Sequence, residues 1–329
     1  MKLVKPDFYD RFRCLAGDCP DSCCHEWEVD IDEESAARYL SLDGALGERL
    51  RQVLKVSPDG YSMSIQDRRC PMWRQDGLCE IQAQLGHDAL CQTCREFPRL
   101  RHDYGNYVEF GLELSCPEAA RLLFSPYDFI EEFLPGGQAE CDPRLFSLLL
   151  ESRKQALSFL ETSALPMGDK LAVLLLYAYD VQAALDGDEL CPLDASLLEN
   201  AKKYAQSGDI TGFYPFFLNL EILTPRWKDR LTHMPAAKEC GDELGYLMKY
   251  LISRYWLQAV ADGELIVWVK FMVIACLLVN ALGGDIMATA QLFSKEIENN
   301  PDNLDAILDA VYCEVPFTDS NLLGLLLKK

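Results

Sequence analysis

The sequence predicts a mainly α fold in two sections: an irregular, cysteine-rich section with a small β element over residues 1–120, then a helical bundle over residues 121–329. Three observations carry this. Nine of the fourteen cysteines fall within the first 116 residues, among short segments and turn residues. From about residue 121 the chain reads almost wholly helical. A hydrophobic fraction of 49% with 25% charged residues is that of a globular chain able to bury a substantial core.

In the first section, Asp43-Gly44, Pro58-Asp59-Gly60 and Asp76-Gly77 mark turns. Between them residues 31–54 read as one or two helices, with Asp32 or Ser35 as the cap. Residues 61–65 and 107–114 alternate polar and apolar as strands do, and are expected to pair as a small sheet. In the second section, Pro117 suits the first turn of a helix over 117–124. Further helices are expected over 143–161, 169–185, 242–260, 264–282, 285–298 and 302–312, several opening on an acidic residue as the helix dipole prefers. Glycine pairs at 136–137 and 283–284, and Asn299-Asn300-Pro301, separate them. The aromatic run Thr211 to Leu218 is expected to be a buried inter-helix connection rather than a docking loop.

The net charge is −21, and both sections are acidic: 14 basic against 22 acidic residues over 1–120, and 17 against 30 over 121–329. No basic face is available for phosphates, so nucleic-acid binding is disfavoured. A field of this sign attracts cations, such as a lysine-bearing protein surface or a sulfonium, although acidity also serves simple solubility. The N-terminus has no apolar signal core, so a cytoplasmic, reducing location is expected and structural disulfides are not. Residues 265–282 resemble a membrane span, but Lys270 and Asn280 interrupt them. The stretch is also short for a bilayer crossing, so a buried core helix is expected and no membrane association.

The cysteines are grouped. Cys14, Cys19, Cys23 and Cys24 come first, then Cys70 and Cys79, then Cys91 and Cys94, then Cys116; Cys141, Cys191, Cys240, Cys276 and Cys313 are scattered singly. A soft metal or cluster prefers thiolates, and about four complete a site. Proline and glycine neighbours permit the tight turns that let backbone N–H groups face sulfur. Only Cys91 and Cys94 show the two-residue spacing of zinc modules, which favours an iron–sulfur centre over zinc, and either over redox disulfides. Of the Cys-x3-Cys-x2-Cys spacing of radical enzymes only the fragment Cys19-x3-Cys23 is present. His25 is a further candidate ligand, or an ordinary loop histidine; His87, His102 and His233 lie apart and read as structural. No glycine-rich phosphate or dinucleotide loop occurs.

Four stretches, residues 18–27, Cys70-Pro to Cys79, residues 93–99 and residues 114–121, resemble the flagellin lysine-N-methylase family and its wider group of zinc- or iron-chelating cysteine-cluster proteins. The resemblance spans roughly residues 10–125. It implies methyl transfer from S-adenosylmethionine to lysines of flagellin or another lysine-bearing protein, and a [4Fe–4S] cluster, with zinc as the alternative. Carried over position by position, Cys14, Cys19, Cys23, Cys24, Cys70, Cys79, Cys94 and Cys116 match the family pattern, and Cys91 falls outside it. Eight cysteines exceed the four of one cluster, so the ligand set stays open. By analogy, a cluster with three protein thiolates leaves one iron to chelate S-adenosylmethionine. The acceptor lysine must react as a free amine, for which Tyr104, Tyr107, Glu109 and Glu113 are candidate proton acceptors, an exposed strand face being the plain alternative. Arg95 and Arg99 are candidates for binding a carboxylate, or surface ion pairs. The rival functions are a non-catalytic zinc- or iron-binding interaction module and a redox or metal-storage protein.

Overall fold

A computed structural model describes residues 1–58, 60–233 and 239–328. The turn expected at Pro58 to Gly60 includes Asp59, which lies outside the described residues. The fold is mainly α, with two small sheets.

The chain opens with β1 (Lys2–Pro6), followed after the first cysteines by β2 (Val29–Ile31), α1 (Glu33–Ser41), α2 (Gly44–Val53), β3 (Leu54–Ser57) and β4 (Gly60–Met63). Strands β2, β4 and β3 form an antiparallel sheet in that order, Val29 and Leu54 both opposite Met63. Next come α3 (Glu80–Leu85), α4 (Gln92–Glu96), β5 (Arg99–Asp103), β6 (Tyr107–Leu112), α5 (Pro117–Leu123) and β7 (Phe129–Phe133). The larger sheet runs β5-β6-β1-β7. Within it β1 lies parallel to β6, Leu3 opposite Val108, and antiparallel to β7. The hairpin between β5 and β6 turns at Gly105, whose φ is +82°; a Cβ there would meet Gln138 O at 1.9 Å, so only glycine fits.

The expected pairing of 61–65 with 107–114 is therefore corrected: β4 and β6 belong to different sheets. Each found better partners in strands that the alternation pattern did not reveal. In β7 all five residues are exposed, and β5 alternates only between half-buried and exposed.

The remainder is helical: α6 (Pro143–Thr162), α7 (Met167–Asp186), α8 (Leu197–Tyr204), α9 (Phe213–Asn219), α10 (Pro225–Thr232), α11 (Leu244–Tyr255), α12 (Ala259–Asp262), α13 (Leu265–Leu282), α14 (Ile286–Phe293), a π-helical turn (Ser294–Glu298), α15 (Pro301–Cys313) and α16 (Asp319–Leu327). Helix α13 is long and apolar enough to cross a membrane, with mean hydropathy 2.4, yet 89% of it is buried in the protein. It packs against α7, α11, α14, α15 and α16. Lys270, which interrupts its apolar run, donates to Val311 O at 2.8 Å and pairs with Asp319. The Thr211–Leu218 aromatics form α9, where Phe213 and Phe217 are fully buried and pack around Phe317.

Two hydrophobic cores result. The larger joins β1, β6 and α5 to the whole helical section. The smaller lies under the β2-β4-β3 sheet and contains Tyr39, Leu50, Met63, Met72, Ile81 and Cys91.

Candidate metal centre

The parallel pairing of β1 with β6 sends both strands out of the sheet at the same end. Cys14 follows one exit and Cys116 the other, so residues distant in sequence emerge side by side. The segment after β1 is clamped from the helical core. Gln291 Nε2 donates to Asp21 Oδ2 at 2.9 Å and to Ser115 O at 2.6 Å, tying the first cysteine loop to the residue before Cys116. Lys295, only 1% exposed, donates to Asp21 Oδ1 at 2.6 Å and sits 4.9 Å from the Trp27 ring. Both residues lie at the end of α14, Lys295 on the π-helical turn; such turns often occur at functional sites. The loop holding Gly17 also touches the Asp76–Leu78 turn, where a Cβ on Gly77 would lie 3.2 Å from Gly17 Cα.

The remaining cysteines gather around the smaller core. Cys70 N–H donates to Cys24 O at 2.8 Å, and Trp73 N–H to Cys70 O at 2.9 Å, while Trp73 also bridges to Cys79. Cys79, Cys91 and Cys116 are the N-caps of α3, α4 and α5. Backbone N–H groups of the first helical turn face their sulfurs and favour the thiolate. Asp32 fixes the Cys91–Cys94 turn in place: one carboxylate oxygen caps α1 at Ser35 N, 2.9 Å away, and the other accepts from Gln92 N at 2.7 Å. The helix cap is thus Asp32 rather than Ser35.

Burial pushes the Cys70 thiol up to about 12 and Cys116 up to about 11, and raises Cys19 and Cys79. Two sulfur pairs divide a proton unequally. Cys24 is drawn down to about 7 by its neighbour Cys23, which rises, and Cys91 is lowered by Cys94, which rises. A bound cation would reverse the cost of the buried thiolates, releasing their protons as it bound.

The neighbouring thiols form one chain: Cys19 is acted on by Cys14, Cys116 by Cys19 and Cys14, Cys23 by Cys24, Cys14 and Cys116, Cys70 and Cys79 by Cys24 and Cys91, and Cys94 by Cys91, Cys23 and Cys24. Cys91, left out on sequence grounds, is buried among them at 2% exposure. All fourteen cysteines are unbridged. Among the described residues, no three His, Cys, Asp or Glu side chains converge tightly enough for a single metal ion. His25 packs its ring 4.9 Å from Trp73.

On the other side of β6 lies a cleft of about 560 Å³, within the usual size of a ligand site, between the larger sheet and helices α6 and α11. Tyr107 and Glu109 line it and are buried, not on an exposed strand face. Glu109 Oε2 accepts from Arg153 Nη1 at 2.8 Å, and its other oxygen accepts from Arg153 Nη2 and from Tyr107 Oη. With both oxygens engaged, Glu109 is a poor proton acceptor, and burial raises the Tyr107 phenol well above its ordinary value. Tyr104 packs on Phe146 beside it. Glu113 lies between cleft and cysteines: burial raises its carboxyl, and Ser115 Oγ donates to it at 3.4 Å. Arg99 lies over the Phe12 ring at 5.2 Å, and Arg95 Nη1 reaches Leu90 O at 3.5 Å; neither lines the cleft.

No family model and no solved structure matches the chain. It is 33% identical over 132 residues to the flagellar biosynthetic protein FliU of Salmonella muenchen, a match covering 38% of the chain and 78% of that protein. The chain belongs to the FliU family. Over 132 residues it is also 33% identical to the lysine-N-methylase of Salmonella typhimurium and 32% to that of Salmonella choleraesuis. These matches cover 38% of the chain and 33% of each lysine-N-methylase.

In this FliU-family chain the cleft and the cysteines share one strand exit. Leu112 and Tyr250 line the cleft, Leu114 N–H donates to Tyr250 Oη at 3.4 Å, and Cys116 lies two residues on. Sequence reading missed the clamp residues Gln291 and Lys295, and Arg153. Their signal was faint: polar side chains on helices whose other residues are core.

Proposed function

We propose that this chain belongs to an S-adenosylmethionine-dependent protein lysine N-methyltransferase acting on flagellin through an iron–sulfur cluster. The likeness to two lysine-N-methylases is the observation that carries the reading. The cluster part of the reading rests on cysteines from four separate stretches that the fold brings beside the β1–β6 exit and around the smaller core. Its ligands would come from Cys14, Cys19, Cys23, Cys24, Cys70, Cys79, Cys91, Cys94 and Cys116, and an open iron would supply a Lewis-acid hold on the donor's amino-acid group.

The chain's own residues do the rest. Tyr107, Tyr127 and Tyr250 give the cleft aromatic walls, and its carboxylates Glu109, Glu131 and Glu161 are each paired with a basic residue, Arg153, Lys2 and Lys249 respectively. Arg153 holds Glu109 and Tyr107 in fixed positions, preorganising that wall. The attacking lysine must shed a proton. Of the four candidates Glu113, next to the cleft residue Leu112 though not itself in the lining, is assigned that role: burial raises its carboxyl and its one side-chain partner is Ser115.

The test is methyl transfer by anaerobically purified, cluster-loaded protein, with mass spectrometry of flagellin lysines. Methylated lysine, reduced at least tenfold in kcat by Glu113→Gln with donor binding intact, is the expected result. Unmodified flagellin in the presence of intact cluster and bound donor refutes the reading. A non-catalytic metal-binding interaction module is the second reading. One observation favours it: the chain spans most of FliU but a third of each lysine-N-methylase.

A further inference from the structure

We propose that the outer edge of β7 is a docking strand, to which an extended, lysine-bearing segment of a partner protein adds as a further strand of the larger sheet. The inference rests on the reading that the chain acts on a lysine-bearing protein, and goes beyond it by naming the surface and the form in which that protein is held.

Strand β7 ends the sheet, and only half of its backbone is paired. Asp7 N–H donates to Asp128 O and Leu134 N–H to Met1 O, both at 2.9 Å. Residues of an antiparallel pair alternate between bonding the partner strand and facing away from it. With Leu3 opposite Glu132 and Lys5 opposite Ile130, the even-numbered residues bond to β1. The N–H and C=O groups of Phe129, Glu131 and Phe133 therefore point outward. All five residues of β7 are exposed, and among the described residues no strand pairs with it on that side. The chain that follows leaves the edge clear. It turns inward across the end of β1 to the β5–β6 hairpin, where Glu140 N–H donates to Tyr104 O at 3.3 Å and a Cβ on Gly137 would lie 3.0 Å from Gly105 O. Such an open row of donors and acceptors is what strand addition uses.

The side chains select the occupant. Phe129 and Glu131 line the cleft, and the pleat places Phe133, 75% exposed, on their face; Ile130, Glu132 and Leu134 lie on the other. Each face thus presents a carboxylate between exposed apolar groups. Residues 122–143 hold Asp128, Glu131, Glu132, Glu140 and Asp142 and no lysine or arginine. From the neighbouring strand Lys2 pairs with Glu131, while Lys5 is shared by Glu132 and Asp10, so the edge keeps a net negative charge. This charge opposes a second copy of the chain: two β7 strands paired antiparallel in full register set Glu131 against Glu131, and like charges directly opposite destabilise a sheet. A basic segment is attracted instead. An added strand lies about 4.8 Å from β7, with the residue opposite Glu131 on the cleft face. A lysine at that position stands at the rim of the cleft.

The experiment is amide hydrogen exchange of the full chain, alone and with three probes: monomeric flagellin, a short synthetic peptide alternating lysine and valine, and the same peptide with glutamate for lysine. The lysine peptide should slow exchange at Phe129, Glu131 and Phe133 at least tenfold, and the glutamate peptide should not. Phe133→Pro removes an outward N–H without removing a bond to β1, where a sheet tolerates proline, and should weaken binding of the lysine peptide at least tenfold. Probes that bind while these three amides exchange as in the free chain overturn the docking strand and leave the acceptor reading standing. Protection by the lysine peptide, with flagellin neither bound nor methylated, supports the docking strand and removes flagellin as the partner. Equal protection by both peptides overturns the basic partner, and protection that rises with the concentration of the chain alone assigns the edge to self-association and overturns the proposal. Exchange of the wild type decides the matter even where Phe133→Pro fails to fold.

Discussion

Asp32 is a single side chain that starts two helices, and removing it should be felt in both places. Its carboxylate caps α1 at Ser35 N and accepts from Gln92 N at the start of α4, which carries Cys94 and follows Cys91. Loss of one such cap costs about 1 kcal/mol, so Asp32→Ala should lower stability by about 2 kcal/mol. Asp32→Asn should cost roughly half as much, because its carbonyl oxygen can serve one N–H while its amide turns a donor toward the other. Urea unfolding followed by circular dichroism at pH 7 measures both. Backbone hydrogen bonds, that from Gln92 first, hold the Asp32 carboxyl below its ordinary value. A depressed folded value means that the stabilisation is fully present above about pH 4, the unfolded value, and is lost as pH falls through the folded one. The wild type should therefore converge on Asp32→Ala in strong acid. If the alanine variant matched wild type within about 0.5 kcal/mol at pH 7, the double cap would not be a structural element of the small core.

Glu109→Gln should cost about 3–5 kcal/mol, since it leaves the Arg153 guanidinium buried without its carboxylate, and the double variant with Arg153→Met should recover most of that loss. Denaturation of the single and double variants gives the coupling directly, and additive losses would contradict it. Glu296 is raised to about 7, burial being the main cause. Here the folded protein binds the proton more tightly than the unfolded chain, so stability declines as pH rises from about 4.5 toward 7. Glu296→Gln should flatten that slope and stabilise the protein above pH 7 by up to about 3 kcal/mol; an unchanged profile between pH 5 and 8 rules this out.

Much of the helical section was legible because its signals are local. The Pro117 and Pro143 starts, the Asp285 cap and the 283–284 glycine pair fall at or next to real boundaries, and α15 begins at Pro301, one residue before the expected 302. The membrane-like stretch at 265–282 is a core helix because an apolar face on every side needs neighbours on every side, and five helices supply them. What escaped was non-local. Strand β1 shows no strong alternation, and its place between β6 and β7 depends on residues more than a hundred positions away. Helices α8, α9, α10 and α16 are short and lacked the long periodic runs on which the reading relied. At the site, the cysteines were visible from spacing, whereas Glu109 was read as a surface base because its partner Arg153 lies on another element. Cys91 fell outside a family pattern but inside the fold's smaller core.

The central place of β1 has a consequence for how the molecule is made. Strand β1 is flanked by two strands synthesised more than a hundred residues later, so on the ribosome it must wait, unpaired by them, until both have emerged. Closing a loop of that length costs on the order of 4 kcal/mol, recovered only when the sheet zips. The cysteines from Cys14 to Cys94 are all synthesised before that sheet can close. Slowed elongation across residues 100–135 should accordingly lengthen the time in which those thiols are open to oxidation, read as a larger oxidised fraction in the newly made protein.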